Sequence, residues 1–94
     1  MEKSEWEYQR GLFQGMQEAA MLVRIEADTK HATADGWLER MTELLRAEDL
    51  DLQGVRRCQR NAEIERMAAM AMSNLASEIM AHAPTLTEAP REKN

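Results

Sequence analysis

Residues 55 to 83 place small and apolar side chains at alternating steps of three and four. A repeat that averages 3.5 residues is typical of helices that pack along one another, and small members allow a close approach. Glu65 interrupts the repeat, and a single polar residue at such a position can fix the register of the pair. The sequence therefore predicts a C-terminal helix of about 30 residues, roughly 45 Å long, that lies against another helix. The row, called the inner seam below, is Val55, Cys58, Ala62, Glu65, Ala69, Met72, Ala76, Ile79 and Ala83.

The same helix has a second apolar face, and it passes through the run Met-Ala-Ala-Met-Ala-Met at residues 67–72. A helix that is apolar on nearly all sides needs neighbours on several sides. A chain of 94 residues has few neighbours to offer, and a small domain is stabilised by further burial. We therefore expect a homodimer or higher oligomer. The second face consists of Ile64, Ala68, Ala71, Leu75 and Ile79, and the expected interface includes Ala62, Ala69, Met72, Ala76 and Ile79.

The N-terminal part of the chain predicts a helix of its own. Ser4 and Glu7 fit a capping box, and an apolar stripe follows at helical spacing. Glycine inside a helix costs about 1 kcal/mol relative to alanine, so the ridge formed by Gly11, Gly15 and Ala19 indicates a close approach. Packing against another helix, in the oligomer interface, is the favoured interpretation, and a ligand against bare backbone is the alternative. The stripe is Tyr8, Leu12, Met16, Ala19, Ala20, Val23 and Ala27.

Two segments are expected to separate the helices. Residues 32–36 form the first break, with Asp35 as the cap of a second helix, although one long helix through Gly36 is the alternative. Residues 49–54 form the second, with Asp51 as the cap of the third helix. Pro84 must end that helix, and residues 84–94 are expected to be a disordered tail. The fold class is thus all-α: a three-helix hairpin or bundle with a long C-terminal helix, in one domain over residues 1–83, oligomerising through helix packing.

Composition narrows the classes of function. The net charge is −5, with acids and bases interleaved, which argues against nucleic acid as a partner. The single cysteine can form no internal disulfide and suits a reducing compartment. The N-terminus is acidic and polar, unlike a signal peptide, and no apolar run approaches the roughly 20 residues of a membrane span. We expect a cytoplasmic protein without membrane contact.

Arg56, Arg57 and Arg60 are the main electrostatic anomaly, because positive charge near a helix N-terminus opposes the helix dipole. Free amides and guanidiniums there would suit a phosphate, with Trp37 or Tyr8 stacking on a base. The simpler alternative is a solvated face with acidic neighbours. A third interpretation is a helix-turn-helix that binds DNA through residues 52–61. The acidic neighbours in the simpler alternative are Glu48, Asp49 and Asp51.

Catalytic and metal chemistry find little support in the chain. His31 and His82 are the only histidines and Cys58 is the only cysteine, which are few ligands for zinc. No glycine-rich phosphate loop is present. We therefore expect no enzyme, no metal and no cofactor. The many methionines fit either core filling or an adaptable binding surface.

The segment Tyr8-Gln9-Arg10-Gly11, continuing through Gly15 to Glu18-Ala19-Ala20, resembles the opening of small helical accessory proteins of tailed bacteriophages. The resemblance covers about a fifth of the chain and transfers no functional residue. It implies a protein that binds and blocks host machinery, including antiviral defences. We therefore expect a small non-enzymatic protein that binds a host protein. Capture of a small anion, such as a nucleotide signal, at a subunit interface is one alternative, and helix-turn-helix-like DNA binding is the other.

Overall fold

The computed structural model describes residues 2–86, which fold into two antiparallel helices. Helix α1 spans Lys3–Arg46 and helix α2 spans Leu52–Ala81, joined by a turn at residues 47–51. Lys30 of α1 forms an ion pair with Glu65 of α2, with Nζ 3.6 Å from Oε2. This contact indicates the register of the helices, in which Ala27 lies at nearly the same level as Ala69. The hairpin is a single layer of two helices, 81 Å long and 16 by 12 Å across.

The all-α class is confirmed, but the expected three-helix bundle is wrong because α1 continues without a break through Gly36. Gly36 has no positive φ, so its backbone is not that of a turn. The hydroxyls of Thr29 and Thr33 donate to the carbonyls four residues earlier, which satisfies these polar side chains within the helix. Ala34 is buried in phase with Ala27. Continuous packing therefore outweighs the roughly 1 kcal/mol that one glycine costs.

The interface between the helices is built from alanine. Three alanines of α1 and three of α2 are buried, and within each helix they recur every seven residues. An alanine at each level lets the two backbones approach closely, as ridges of small residues do. The centre of the hairpin is therefore narrow and contains little apolar volume. The six alanines are Ala20, Ala27 and Ala34 in α1 and Ala62, Ala69 and Ala76 in α2.

Every member of the inner seam is buried or half-buried, as the spacing predicts. The helix that covers this seam is α1 of the same chain. Lys30 lies opposite Glu65, so the one acidic residue of the seam meets a base, and both side chains are partly shielded from water. An ion pair of this kind contributes about 0.2–1 kcal/mol. Sliding the helices past each other would separate the two charges, so the pair adds a small preference for this register.

The ends of the helices match the sequence in part. Asp51 caps α2, and its carboxylate accepts a hydrogen bond from the Gly54 amide at 2.9 Å. Helix α2 ends at Ala81 with His82 as the C-cap, shortly before Pro84. The predicted capping box is wrong, because α1 begins at Lys3 and its cap residue, Glu2, makes no side-chain cap bond. Of the predicted disordered tail, residues 87–94 lie outside the described part of the chain.

Neither described helix is long and apolar enough to cross a membrane.

Candidate interaction surfaces

The described chain buries few large apolar side chains. No large side chain is fully buried, and the core consists of alanines with Cys58. Large apolar side chains are instead exposed along both helices. A layer of two helices cannot enclose a core, and stable domains pack such a layer against another. The exposed apolar side chains are therefore the principal candidates for contact with another molecule. They include Leu12, Leu22, Ile25, Ile64, Met67, Met70 and Leu75.

One broad face of the hairpin contains an apolar groove between the helices. Leu22 of α1 and Leu75 of α2 line it from opposite sides, and they are 62% and 47% exposed. Val23, Glu26 and Met72 complete a groove of about 210 Å³. Because Leu22 and Leu75 border one groove, the apolar face of α2 that contains Leu75 lies on the same side of the hairpin as Leu22. An amphipathic helix could rest there.

The second apolar face predicted for the C-terminal helix lies on this side. Ile64 is 56% exposed, Ala71 is also exposed, and Ala68 is half-buried. Ile79, which the inner seam shares, is half-buried. Within the described part of the chain, the side chains of Ile64 and Leu75 are exposed to solvent. The prediction that this helix has two apolar faces is confirmed, and the hairpin covers one of them.

The residues predicted for an oligomer interface fall into two groups, one inside the hairpin and one on its exposed surface. Ala62, Ala69 and Ala76 are buried inside the hairpin, and Met72 and Ile79 are half-buried beside them. Gly11, Gly15 and Ala19 lie on the exposed side of α1, and a Cβ added at either glycine would meet nothing within 4 Å. The ridge is therefore open within the described chain. Its contact with a second copy stays a prediction.

The methionines divide in the same way. Met21, Met67 and Met70 are exposed, whereas Met16, Met41, Met72 and Met80 are half-buried. Filling of the core accounts for the second group. It does not account for the first, in which Met67 is 70% exposed. Exposed methionines are typical of adaptable binding surfaces, because an unbranched thioether fits partners of different shape.

Arg56, Arg57 and Arg60 lie together around one surface depression beside Gln53. All three are exposed, and none of their side chains forms an ion pair or hydrogen bond with another residue among 2–86. The acidic neighbours proposed as counter-charges therefore do not pair with them; the carboxylate of Asp51 accepts from the Gly54 amide instead. The cluster is a concentration of free positive charge in an acidic protein.

The aromatic side chains proposed to accompany this cluster lie in different places. Tyr8 is at the far end of the hairpin, about 45 Å from the level of Arg56 by the helical rise, so it cannot stack on a ligand there. Trp37 is near the level of the cluster and half-buried. Residues 52–61 belong to a helix that runs alongside α1, whereas a helix-turn-helix crosses its helices steeply. The DNA-binding alternative thus has no support in this geometry.

Candidate chemical groups are dispersed. Among residues 2–86, no three histidine, cysteine, aspartate or glutamate side chains are close enough together to hold a metal ion. Cys58 is a free thiol that is 4% exposed, and it lies in the inner seam as a small packing residue. Packing accounts for this thiol without a catalytic role.

No protein-family model, curated protein or solved structure matches this chain.

Proposed function

We propose that this chain is a non-catalytic binding protein that engages another protein by helix packing. The observation that supports the proposal is the excess of exposed over buried large apolar side chains. Exposed apolar surface that is contiguous marks sites of association in small soluble proteins. A rod of two helices presents exposed apolar side chains along much of its length. The partner in this proposal recognises shape and apolar contact.

The partner surface that we favour is the part of α2 around Met67 and Met70, which does not line the groove. These side chains are 70% and 61% exposed, and they are close neighbours along the helix. Charged residues Glu63 and Arg66 lie beside them and are available for a polar rim. An apolar centre with a polar rim is the usual anatomy of a protein interface.

The resemblance of the N-terminal segment to phage accessory proteins extends the proposal to the class of partner. On that basis the partner is a host protein, and binding blocks its activity. A small rod without a catalytic centre would act as such an inhibitor by covering a surface that the host protein needs. Inhibition of an antiviral defence is the form of this role that the resemblance implies.

The test is affinity capture with a surface variant and a matched control. Tagged wild-type chain, Met67→Lys/Met70→Lys, and Gln14→Lys/Gln17→Lys are immobilised at equal density and exposed to host lysate. Gln14 and Gln17 are exposed on the other helix, so their variant controls for two added charges. We expect a protein that wild type and Gln14→Lys/Gln17→Lys retain and Met67→Lys/Met70→Lys loses, because interface centres tolerate charge poorly. Equal capture by all three chains, or none at micromolar concentration, would contradict the proposal.

A second candidate function rests on the three unpaired guanidiniums around one depression. The cluster of Arg56, Arg57 and Arg60 would bind a phosphate-bearing ligand through charge-assisted hydrogen bonds. Titration calorimetry with inorganic phosphate and a panel of nucleotides tests this. Arg56→Gln/Arg60→Gln should abolish any heat that wild type gives, and absence of heat with wild type removes the candidate.

A further inference from the structure

The outer side of α2 contains a row of residues in which the side-chain sizes follow nearly the same order from either end. We call it the outer seam: Arg57, Asn61, Ile64, Ala68, Ala71, Leu75, Glu78 and His82. Its steps alternate between four and three, so it is a second coiled-coil row. Ala68 and Ala71 are its centre, and large Ile64 and Leu75 flank them. Reversing α2 about the midpoint between the two alanines places Ile64 opposite Leu75.

A row with this symmetry is complementary to itself. In a two-fold dimer each subunit contributes the same patch, and residue i meets residue j while j meets i. We propose that a second copy of this chain packs antiparallel on the outer seam, with Ala68 and Ala71 at the two-fold axis. The Ile64 side chain of each copy then enters the groove that Leu22 and Leu75 form on the other. This inference stands independently of the proposed function.

Charge along the outer seam favours the same orientation. Arg57 lies towards the turn end of the hairpin and Glu78 towards its open end. Neither side chain forms an ion pair with any residue of the described part. Antiparallel packing about the axis between Ala68 and Ala71 places Glu78 of one copy opposite Asn61 of the other. Its Arg57 lies four residues further, about 6 Å along the helix, so the long arginine side chain can reach that carboxylate at both ends of the interface. Parallel packing would place Arg57 beside Arg57 and Glu78 beside Glu78, which is unfavourable.

The energetics of the hairpin point to a second copy as the occupant. Six buried alanines contribute little apolar burial for a chain of this length, and small domains commonly need oligomerisation to be stable. Another copy is always present when the chain is made, so it meets that need. Stacking two hairpins produces four helices around one core, the arrangement of an antiparallel bundle.

Solution mass tests the proposal on the full chain. Light scattering behind a sizing column should give wild type twice the 10.8 kDa of one chain. Ile64→Glu should lower the mass to one copy or unfold the chain, because it puts a charge at the interface centre. Met70→Glu is the matched control, since Met70 is 61% exposed against 56% for Ile64 but lies on the other side of α2. Its mass should stay that of a dimer.

Reversing the charges of Arg57 and Glu78 tests the same dimer even if the Ile64→Glu chain unfolds. Arg57→Glu should weaken dimerisation several-fold, and adding Glu78→Arg to it should restore the wild-type dissociation constant. Dimerisation depends on protein concentration through mass action, so the measurement is made at about 50 micromolar. A wild-type chain that is folded and monomeric at this concentration overturns the proposal. So does a trimer or larger assembly, or a dimer unaffected by both Ile64→Glu and Arg57→Glu.

Orientation is tested by cross-linking in a Cys58→Ala background. A short bismaleimide should join two copies that carry Ala71→Cys, because position 71 lies beside the axis. It should fail with Arg57→Cys, since antiparallel packing separates the two positions by about 37 Å along the helices. Cross-linking of both variants would establish a parallel dimer and refute the antiparallel proposal.

Discussion

At the scale of single residues, alanine determines how this molecule packs. Ala27 and Ala69 lie at nearly the same level and are almost completely buried, so the backbones of α1 and α2 meet where a larger side chain would hold them apart. Their small volume also explains why large apolar side chains remain outside. Leu22 and Leu75 border the interface from the groove and are not enclosed by it.

Enlarging one buried alanine should therefore destabilise the hairpin. For Ala69→Leu we expect the free energy of unfolding to fall by about 1–3 kcal/mol, because overpacking forces the helices apart. Ala32→Leu is the control: Ala32 is exposed on α1, and surface changes usually stay within about 0.5 kcal/mol. Urea unfolding followed by circular dichroism, at one protein concentration, measures both. Equal midpoints for the two variants would show that Ala69 is not enclosed.

At the scale of elements, the sequence predicts α2 well and α1 poorly. The spacing of the inner seam, the cap at Asp51 and the stop before Pro84 are local signals, and all three are confirmed. The division of α1 at residues 32–36 is wrong because Asp35-Gly36 resembles a helix start locally. A helix starts there only if packing against α2 allows it, and the local sequence carries no information on that packing.

A signal for the continuous α1 was nevertheless present. Lys30, Ala34, Trp37, Met41 and Leu44 continue the three-and-four spacing of the earlier residues without a phase change. Following that spacing past Gly36 would have predicted one helix and placed Lys30 on its buried side. The interaction surfaces were predicted in part: the outer face of α2 was recognised, whereas the groove beside Leu22 depends on the register of two helices. Sequence spacing alone does not define that register.

Glycine variants test the continuity of α1. Gly36→Ala should raise the free energy of unfolding by about 0.5–1 kcal/mol, because alanine favours helix and a Cβ there meets nothing within 4 Å. Gly54→Ala should lower it, since the new Cβ would lie 2.9 Å from Asp51 Cγ and 3.1 Å from Leu44 Cδ1. Displacing Asp51 would break the cap. Thermal melts compare the pair, and a destabilised Gly36→Ala would mean that the chain turns at this residue.

At the scale of the whole molecule, the chain is a thin rod, and we propose that pairing with a second copy stabilises it. The axis proposed at Ala68 and Ala71 lies near the level of Ala27, close to the middle of α1. Antiparallel copies centred there overlap along nearly their whole length. The second copy therefore adds width and adds little length. Surfaces on the far side, around Met67 and Met70, stay accessible to a different protein.

Small-angle scattering of the purified full chain tests the extended hairpin and its pairing in one experiment, because it reports the shape and the mass together. We expect a radius of gyration close to the 22.0 Å of the hairpin and a mass of two copies. A compact domain of this length would have a radius of gyration of about 12 Å, and two such domains together about 16 Å. A value in that lower range would contradict the extended hairpin, and with it the pairing of two rods side by side.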